Sequence, residues 1–382
     1  MVDSNLKHTA INLPNLTPLR AFAAIAVVYF HFNEIFVQFV SPEKTMLLRK
    51  CYLMVDLFFI MSGFIMLHVY GESFSKALHW ESFRKFIKAR FARLYPLHLF
   101  TLTIAVLMFY LSNAPVIPIE ARINNPMAIP THLLLLQSFG FHDIFTWNVP
   151  SWSISAEWWA YMVFPFLALL LARNKRIGII LITLLIITIY FSILYLVPKT
   201  NVFVPTLPNL NHDLDVTFDY GYLRGLAGFM TGMIAYTMYQ NKTIIRFLAK
   251  DIVCFIVIVV LLILMHFGLN DLIYIPLFLL LVLCFSKNES IIHKICNLKP
   301  LQYIGDISYS IYMIHTFIIF SFGPFIIQKM GYTFSGQAMP KMPFYSGILA
   351  STLLLFVVII VSSITYFLIE KPCRNWINKK FK

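Results

Sequence analysis

The sequence predicts an all-α, polytopic integral membrane protein with about ten transmembrane helices and both termini in the cytoplasm. Two features of the composition carry this prediction: 59% of the 382 residues are hydrophobic and only 12% are charged. A typical soluble domain carries about 25% charged residues, so this chain is too apolar for that class. Its apolar runs follow one another without a soluble-looking block, which predicts a single membrane domain.

The predicted spans follow from segment length, because a hydrocarbon core about 30 Å thick needs roughly 20 helical residues. Segments near this length lie at 17–39, 52–70, 94–112, 150–172, 177–197, 216–239, 251–268, 272–286, 302–328 and 344–369. The run at 272–286 is short. The apolar run at 131–140 is too short to cross, and we interpret it as a re-entrant or interfacial piece.

The distribution of Lys and Arg predicts the orientation, because cytoplasmic loops collect positive charge. With the N-terminus inside, 21 of the 30 basic residues fall in cytoplasmic segments and seven in outer segments. The predicted plan is a cytoplasmic segment over 1–16, a membrane-embedded domain over 17–369 and a basic cytoplasmic tail over 370–382. Anionic lipid headgroups beside these bases explain the net charge of +13, so we expect no nucleic-acid partner.

Ionisable side chains inside a predicted span are costly to bury and by default indicate function. The predicted spans contain Arg20, His31, Asp56, Glu157, Arg224 and His315. At 1.5 Å per helical residue, the last five of these fall in one layer, the outer third of the membrane. Isolated structural residues would have no reason to share a depth, so the layer suggests a common site.

Each histidine also has a structural interpretation. His31 follows Arg20 by eleven positions, close to three helical turns, so both side chains lie on nearly the same helix face. This spacing favours a functional role for His31. His315 is evenly balanced between such a role and a simple hydrogen bond to a neighbouring helix.

The acidic residues and Arg224 have alternatives as well. Asp56 opens an apolar run and either caps its helix or pairs with a buried cation. Arg224 is a suitable counter-ion for Asp56 or for Glu157. Glu157 lies in SWSISAEWWAYMVFP, one turn deeper than a belt of interfacial tryptophans that includes Trp152. A carboxylate at that depth needs a partner, and the neighbouring Ser153 is a candidate supporting residue.

A positive collar, HWESFRKFIKARFARLYPLHLF, precedes the third predicted span. Positive-inside topology by itself explains such a collar. The alternative is a phosphate site, because Arg90 and Arg93 are three positions apart on one helix face. Guanidinium groups clamp phosphates through several hydrogen bonds, and Arg20 would lie near the same inner surface.

Six segments in order resemble the acyltransferase-3 family of membrane O-acyltransferases: PLRAFAAIAVVYFHF, DLFFIMSGFIM, KARFARLYPLH, PSWSISAEWWAYMVFP, IGDISYSIYMIHTFII and YFLIEKP. They contain R-x10-H (Arg20, His31) and R-x2-R (Arg90, Arg93). The middle, about 177–300, matches only as helices of suitable length. Pro18 stands where many relatives carry an acidic residue and glycine, which affects how the first helix begins. The short tail predicts the stand-alone type, without a fused hydrolase-like domain.

The resemblance implies transfer of an acyl group, most often acetyl, from cytoplasmic acetyl-CoA to a hydroxyl of an extracytoplasmic glycan, such as a cell-surface polysaccharide or lipopolysaccharide. It implies a multi-pass protein of the bacterial inner membrane that needs no metal. His31 is then the catalytic histidine and Glu157 a supporting carboxylate, while Arg20, Arg90 and Arg93 bind the coenzyme. The remaining substrate or supporting candidates are Asp56, Trp152, Ser153, Arg224 and His315.

The residue chemistry agrees with this interpretation. Transfer to a hydroxyl needs a general base with a pKa near 7, which histidine provides, and a group that orients the imidazole. Counted at 1.5 Å per helical residue, the collar and His31 differ in membrane depth by roughly 20 Å, which is about the length of an extended pantetheine arm. A covalent acyl-enzyme is not required, although Ser62, Ser153 and Ser155 remain open as carriers.

Two other classes fit parts of the sequence. A transporter or channel would use the same buried charges to relay protons or coordinate a substrate. The other membrane O-acyltransferase superfamily places its histidine late in the chain, where His315 would have to serve. The five cysteines are scattered and lack the spacing of a zinc site or a disulfide framework.

Overall fold

The computed structural model describes residues 13–111, 122–198, 213–332 and 341–380. These residues form helices joined by loops, with no β-strand among them and one isolated bridge between Gln38 and Lys341. The predicted all-α class is therefore confirmed. Most of the predicted N-terminal segment, 1–12, lies outside the described residues.

The α-helices are, in chain order, α1 Leu16–His31, α2 Leu47–Lys50, α3 Met54–Tyr70, α4 Trp80–Leu111, α5 Ile129–Leu133, α6 Trp152–Arg173, α7 Lys175–Tyr195, α8 Gly221–Tyr239, α9 Lys242–Leu248, α10 Asp251–Phe267, α11 Tyr274–Lys287, α12 Ile291–Cys296, α13 Lys299–Asp306, α14 Ser308–Lys329, α15 Phe344–Thr365 and α16 Lys371–Lys380. Short 3₁₀ turns lie at Cys51–Leu53, Gly71–Phe74, Pro126–Ala128, Val149–Ser151 and Asp271–Ile273.

Within the described ranges, seven stretches of helix are long and apolar enough to cross a membrane: Leu16–Phe36, Leu47–Phe74, Trp80–Leu111, Val149–Arg173, Lys175–Tyr195, Ser308–Lys329 and Phe344–Lys380. The pair α9 and α10 would make an eighth span, broken by a 67° bend. The chain is thus a multi-pass membrane protein by the character of its helices.

The predicted count of about ten spans is not confirmed. The predicted span at 216–239 is helix α8, which is rich in glycine and carries Arg224, so it is less apolar than a lipid-facing helix. The predicted span at 272–286 is α11, whose 14 residues reach only about 21 Å. Much of each helix is buried among other helices, where it needs no lipid-compatible surface. The cytoplasmic position of both termini remains a prediction.

Close backbone contact between α3 and α8 builds the centre of the bundle. A Cβ on Gly63 would lie 1.8 Å from the carbonyl oxygen of Phe229, and one on Gly232 would lie 1.9 Å from that of Ile60. Only glycine permits such an approach, as is common where membrane helices pack through small residues. This contact brings the N-terminal ends of α3 and α8, with Asp56 and Arg224, together.

Among the described residues, two five-residue π-helical segments adjoin long helices, one of them next to His31. One, Phe32–Phe36, follows His31 directly, and the other, Tyr366–Glu370, ends at Glu370. The side-chain carbonyl of Asn33 accepts hydrogen bonds from the backbone N–H groups of Phe39 and Val40, which fixes the chain beyond α1. π-segments occur frequently at functional sites.

Candidate active site

Two neighbouring cavities lie among the helices. The smaller has a volume of about 140 Å³ and is lined by Arg20, Arg90, Arg93 and Glu157; we call it the arginine cavity. The larger has a volume of about 590 Å³ and is lined by His31; we call it the histidine cavity. Arg20 and His31 lie on the same helix, α1, but each lines a different cavity.

In the arginine cavity, aromatic rings hold Arg90. Its Nη2 donates a hydrogen bond to the Tyr70 hydroxyl at 3.1 Å. Its guanidinium group lies over the rings of Tyr70 and Tyr161, 5.2 and 5.8 Å from their centroids. The buried Nε of Arg90 has no hydrogen-bond partner within the described part of the chain. A buried donor without a partner is costly, so an anionic ligand in this cavity would supply a missing contact.

Arg93 is already paired. Its Nη1 donates to Glu370, which is 1% exposed and also accepts a hydrogen bond from Ser310 Oγ at 2.8 Å. Arg374 Nη1 lies 3.8 Å from the same carboxylate. Sequence reasoning missed Glu370, although it belongs to the YFLIEKP segment and was placed at the start of the tail. Its role only emerges once α4 and the end of α15 meet.

Glu157 lies with the arginines and not with His31. Its Oε1 accepts hydrogen bonds from Ser62 Oγ at 2.6 Å and from the Tyr161 hydroxyl at 2.5 Å. Ser62 Oγ and the Tyr161 hydroxyl oxygen are also within hydrogen-bonding distance of each other, at 3.0 Å. Among the described residues, no hydrogen bond joins Glu157 to His31. Of the five residues expected in one layer, Glu157 lines the arginine cavity, His31 and Arg224 line the histidine cavity, and Asp56 and His315 line neither.

Asp56 is the nearer counter-ion of Arg224, and Asp215 Oδ1 lies 3.7 Å from its Nη1. Arg224 Nη2 lies 2.6 Å from Asp56 Oδ2, and Nε lies 3.0 Å from Oδ1. The two residues are 1% and 0% exposed. The guanidinium also lies over the rings of Tyr52 and Trp152, at 5.1 and 5.5 Å. This enclosed pair resolves the alternative left open in the sequence, and it supports one wall of the histidine cavity.

His31 and His315 form a hydrogen-bonded pair. His31 Nδ1 lies 2.9 Å from the carbonyl oxygen of Val27 and 3.2 Å from His315 Nε2. His315 Nδ1 lies 2.7 Å from the carbonyl oxygen of Tyr312. His315 is fully buried, and the two rings meet edge to face at 4.6 Å.

The hydrogen bonds assign the tautomers of this pair. A carbonyl oxygen only accepts, so in each ring Nδ1 carries the proton. His315 Nε2 then accepts the proton of His31 Nδ1, which it shares with Val27. The unprotonated Nε2 of His31 is left for a ligand in the histidine cavity, which is the arrangement a general base requires.

The three candidate serines all have other partners. Ser153 Oγ donates its one proton to the Tyr312 hydroxyl at 2.8 Å, the shorter contact, and lies 3.2 Å from the Pro150 carbonyl oxygen. Ser155 Oγ donates to the Leu135 carbonyl at 2.6 Å, and Ser62 bonds Glu157. In the described ranges, none of the three is hydrogen-bonded to a histidine, so none forms the serine–histidine pair typical of nucleophilic catalysis.

The remaining wall of the histidine cavity combines aromatic and polar side chains. Tyr52, Trp147 and Trp152 contribute rings, and Asp213 and Asp215 contribute carboxylates. The volume and this mixture are typical of small-molecule sites. No group of three His, Cys, Asp or Glu side chains suited to a metal ion occurs among the described residues.

In comparisons with known proteins, one family profile matches nearly the whole chain, and two individual relatives match parts of it. The sequence profile of the acyltransferase-3 family, described as an acyltransferase domain, matches residues 14–367. Acyltransferase MdmB of Streptomyces mycarofaciens is 34% identical over 41% of this chain and 39% of its own length. Protein 2 in picA locus of Rhizobium radiobacter is 37% identical over 25% of this chain and 44% of its own length. The matched regions thus span about two fifths of these relatives, and no solved structure matches the chain.

Proposed function

Since this chain belongs to the acyltransferase-3 family and is an acyltransferase domain, we propose that it transfers an acyl group from cytoplasmic acyl-CoA to a hydroxyl of an extracytoplasmic glycan. Acetyl is the proposed acyl group, and the bacterial inner membrane the proposed location. The observation that carries the proposal is the presence of two neighbouring cavities with different lining residues. One offers cations for an anionic donor, and the other offers a base for a hydroxyl acceptor.

The donor end of the proposal rests on Arg20, Arg90 and Arg93. Guanidinium groups bind phosphate oxygens through paired hydrogen bonds, and Arg90 Nε is an unused buried donor. At about 140 Å³, the cavity accommodates only part of a coenzyme. The rest of the donor would extend from this cavity toward the start of α4, where the positive collar begins. Glu157 balances part of the positive charge and holds Ser62 and Tyr161 in place.

The acceptor end rests on the histidine cavity. Its volume of about 590 Å³ lies within the usual range for a small-molecule site. The rings of Trp147 and Trp152 offer flat apolar surfaces to a sugar, while the carboxylates of Asp213 and Asp215 accept hydrogen bonds from its hydroxyl groups. His31 Nε2 is the base that such an acceptor meets.

The reaction follows from these assignments. An acceptor hydroxyl attacks the thioester carbonyl carbon, the new C–O bond forms, and the C–S bond breaks. His31 Nε2 takes the hydroxyl proton and returns it to the departing thiolate, so the products are an ester and a free thiol. His315 Nε2 accepts a hydrogen bond from the Nδ1–H of His31. The Nε2 of His31 therefore stays unprotonated and available to the acceptor. Because none of Ser62, Ser153 and Ser155 is hydrogen-bonded to a histidine in the described ranges, we propose direct transfer without an acyl-enzyme.

The test measures acyl transfer with purified protein in proteoliposomes and radiolabelled acetyl-CoA. With water as the only acceptor, an acyltransferase slowly releases free thiol and acetate, whereas a transporter moves its substrate without cleaving the thioester. Cell-surface glycans with and without the protein are then compared for ester-linked acyl groups. Thiol release together with a lost glycan ester supports the proposal. An intact thioester and unchanged glycans contradict it.

A further inference from the structure

The two cavities meet at a shared wall. Of the described residues, only Val55 and Tyr312 line both cavities. Under the proposed function, phosphates bind on one side of this wall and the base lies on the other. The donor bound in the arginine cavity must present its thioester carbon to the acceptor in the histidine cavity. This can happen at the wall that the two cavities share.

Tyr312 supplies the polar group at this junction, since Val55 has none. The residue is 7% exposed. Its hydroxyl accepts the hydrogen bond of Ser153 Oγ at 2.8 Å, which leaves its own proton available to a ligand. Its backbone carbonyl accepts the hydrogen bond of His315 Nδ1 at 2.7 Å. The same residue therefore touches both cavities and is bonded directly to the histidine pair.

We propose that the Tyr312 hydroxyl donates a hydrogen bond to the carbonyl oxygen of the acyl thioester while the acceptor attacks. This inference rests on the proposed function and adds the group that stabilises the developing negative charge. The carbonyl oxygen gains charge as the C–O bond forms and loses it as the C–S bond breaks. Tyr312 keeps its proton throughout, and the proton transfers remain those of His31.

The position of Tyr312 suits this role because its phenol is fixed before the reaction. Ser153 bonds the hydroxyl, and the Phe58 ring packs at a centroid distance of 6.3 Å. A preorganised donor in a water-poor site stabilises transition-state charge more effectively than a mobile one. Sequence reasoning passed over Tyr312, although it lies three positions before His315 in the IGDISYSIYMIHTFII segment.

The test replaces Tyr312 by phenylalanine in the full-length purified protein and measures release of free thiol from acetyl-CoA. Loss of an oxyanion donor predicts a fall in kcat of about 10²–10³-fold. The affinity for coenzyme A, measured by calorimetry, should stay within about threefold. Tyr190→Phe is the matched control, since Tyr190 is buried and lines neither cavity. It should keep the wild-type kcat.

A second variant separates catalysis from packing. 3-Fluorotyrosine at position 312 keeps the ring and the hydroxyl but makes the phenol more acidic, so kcat should change by at least about twofold at constant KM. A purely structural role predicts no change. Tyr312→Phe with a kcat within threefold of the wild type, or a fluorinated variant with unaltered kcat, overturns the inference. An inactive wild-type protein overturns the proposed function and this inference together.

Discussion

His315 Nε2 lies 3.2 Å from His31 Nδ1, so two histidines 284 positions apart form one hydrogen-bonded pair. His315 is neutral in this arrangement and accepts from His31, while its own Nδ1–H is held by the Tyr312 carbonyl. The pair thus resembles a catalytic dyad in which a buried partner sets the tautomer of the base. The partner here is an imidazole instead of a carboxylate.

His315→Leu should lower kcat by about 10–10²-fold, because a neutral partner contributes less than the buried carboxylate of a catalytic triad. Coenzyme A affinity should not change. The pH profile of kcat should change as well, since His31 loses the acceptor of its Nδ1–H. Steady-state kinetics across pH measure this effect. A lower kcat with an unshifted pH profile would point to a packing role for His315.

His31→Ala should reduce acyl transfer by about 10²–10⁴-fold, the usual contribution of a general base, while the protein stays inserted and folded. Thiol release and ester formation are compared at matched expression. The control is His79→Ala, which removes an exposed histidine that lines neither cavity. Near-wild-type transfer by the His31 variant would remove this residue from the mechanism.

Glu157→Gln should impair turnover more than donor binding. The carboxylate accepts two short hydrogen bonds, from Ser62 and Tyr161, and bonds to a charged group contribute about 1.5–3 kcal/mol. We therefore expect kcat to fall by about 10–10²-fold. Donor affinity should not weaken, because removing a negative charge beside arginines favours anions. A collapsed affinity with preserved turnover at saturation contradicts this prediction.

Replacing Arg90 and Arg93 together by lysine should weaken coenzyme A binding by about 10–10²-fold, because lysine cannot form a bidentate contact. Positive-inside topology alone predicts no loss, since lysine satisfies that rule equally. Of the single variants, Arg90→Lys should cost more, because the Glu370 carboxylate already engages Arg93.

Calorimetry in detergent at two salt concentrations measures these affinities. Arg173→Lys is the matched control, as Arg173 is exposed at the end of α6, outside the collar, and lines neither cavity. If the double lysine and double alanine variants bind coenzyme A as the wild type does, the arginine cavity is not the donor site.

Asp56→Asn should destabilise the protein by about 3–5 kcal/mol, since the buried Arg224 guanidinium then keeps only the more distant Asp215 carboxylate, 3.7 Å away. Asp143→Asn removes one partner of the Arg122–Asp143 ion pair, whose side chains are 54% and 80% exposed. Pairs of that kind contribute about 1 kcal/mol or less. Thermal unfolding in detergent compares the two. Equal unfolding temperatures would show that the buried pair adds little.

The sequence alone was sufficient for features that depend on local order. Hydrophobic runs of sufficient length predicted the helical segments, and Arg20 and His31 both lie in the first of these, α1. Helix periodicity is a local property, so these predictions needed no knowledge of neighbouring helices. The predicted number of spans was not confirmed. Helices buried among other helices, such as α8 and α11, do not need the length and the hydropathy that contact with lipid requires.

The tertiary structure decided which distant residues meet. Counting residues along separate helices estimates depth in the membrane but carries no information about lateral position. Glu157 was therefore grouped with His31, whereas packing assigns it to the arginine cavity. In the same way, contact of α3 with α8 paired Asp56 with Arg224, and contact of α1 with α14 paired His31 with His315. These choices depend on how side chains fit between helices, and that fit is a property of the assembled bundle alone.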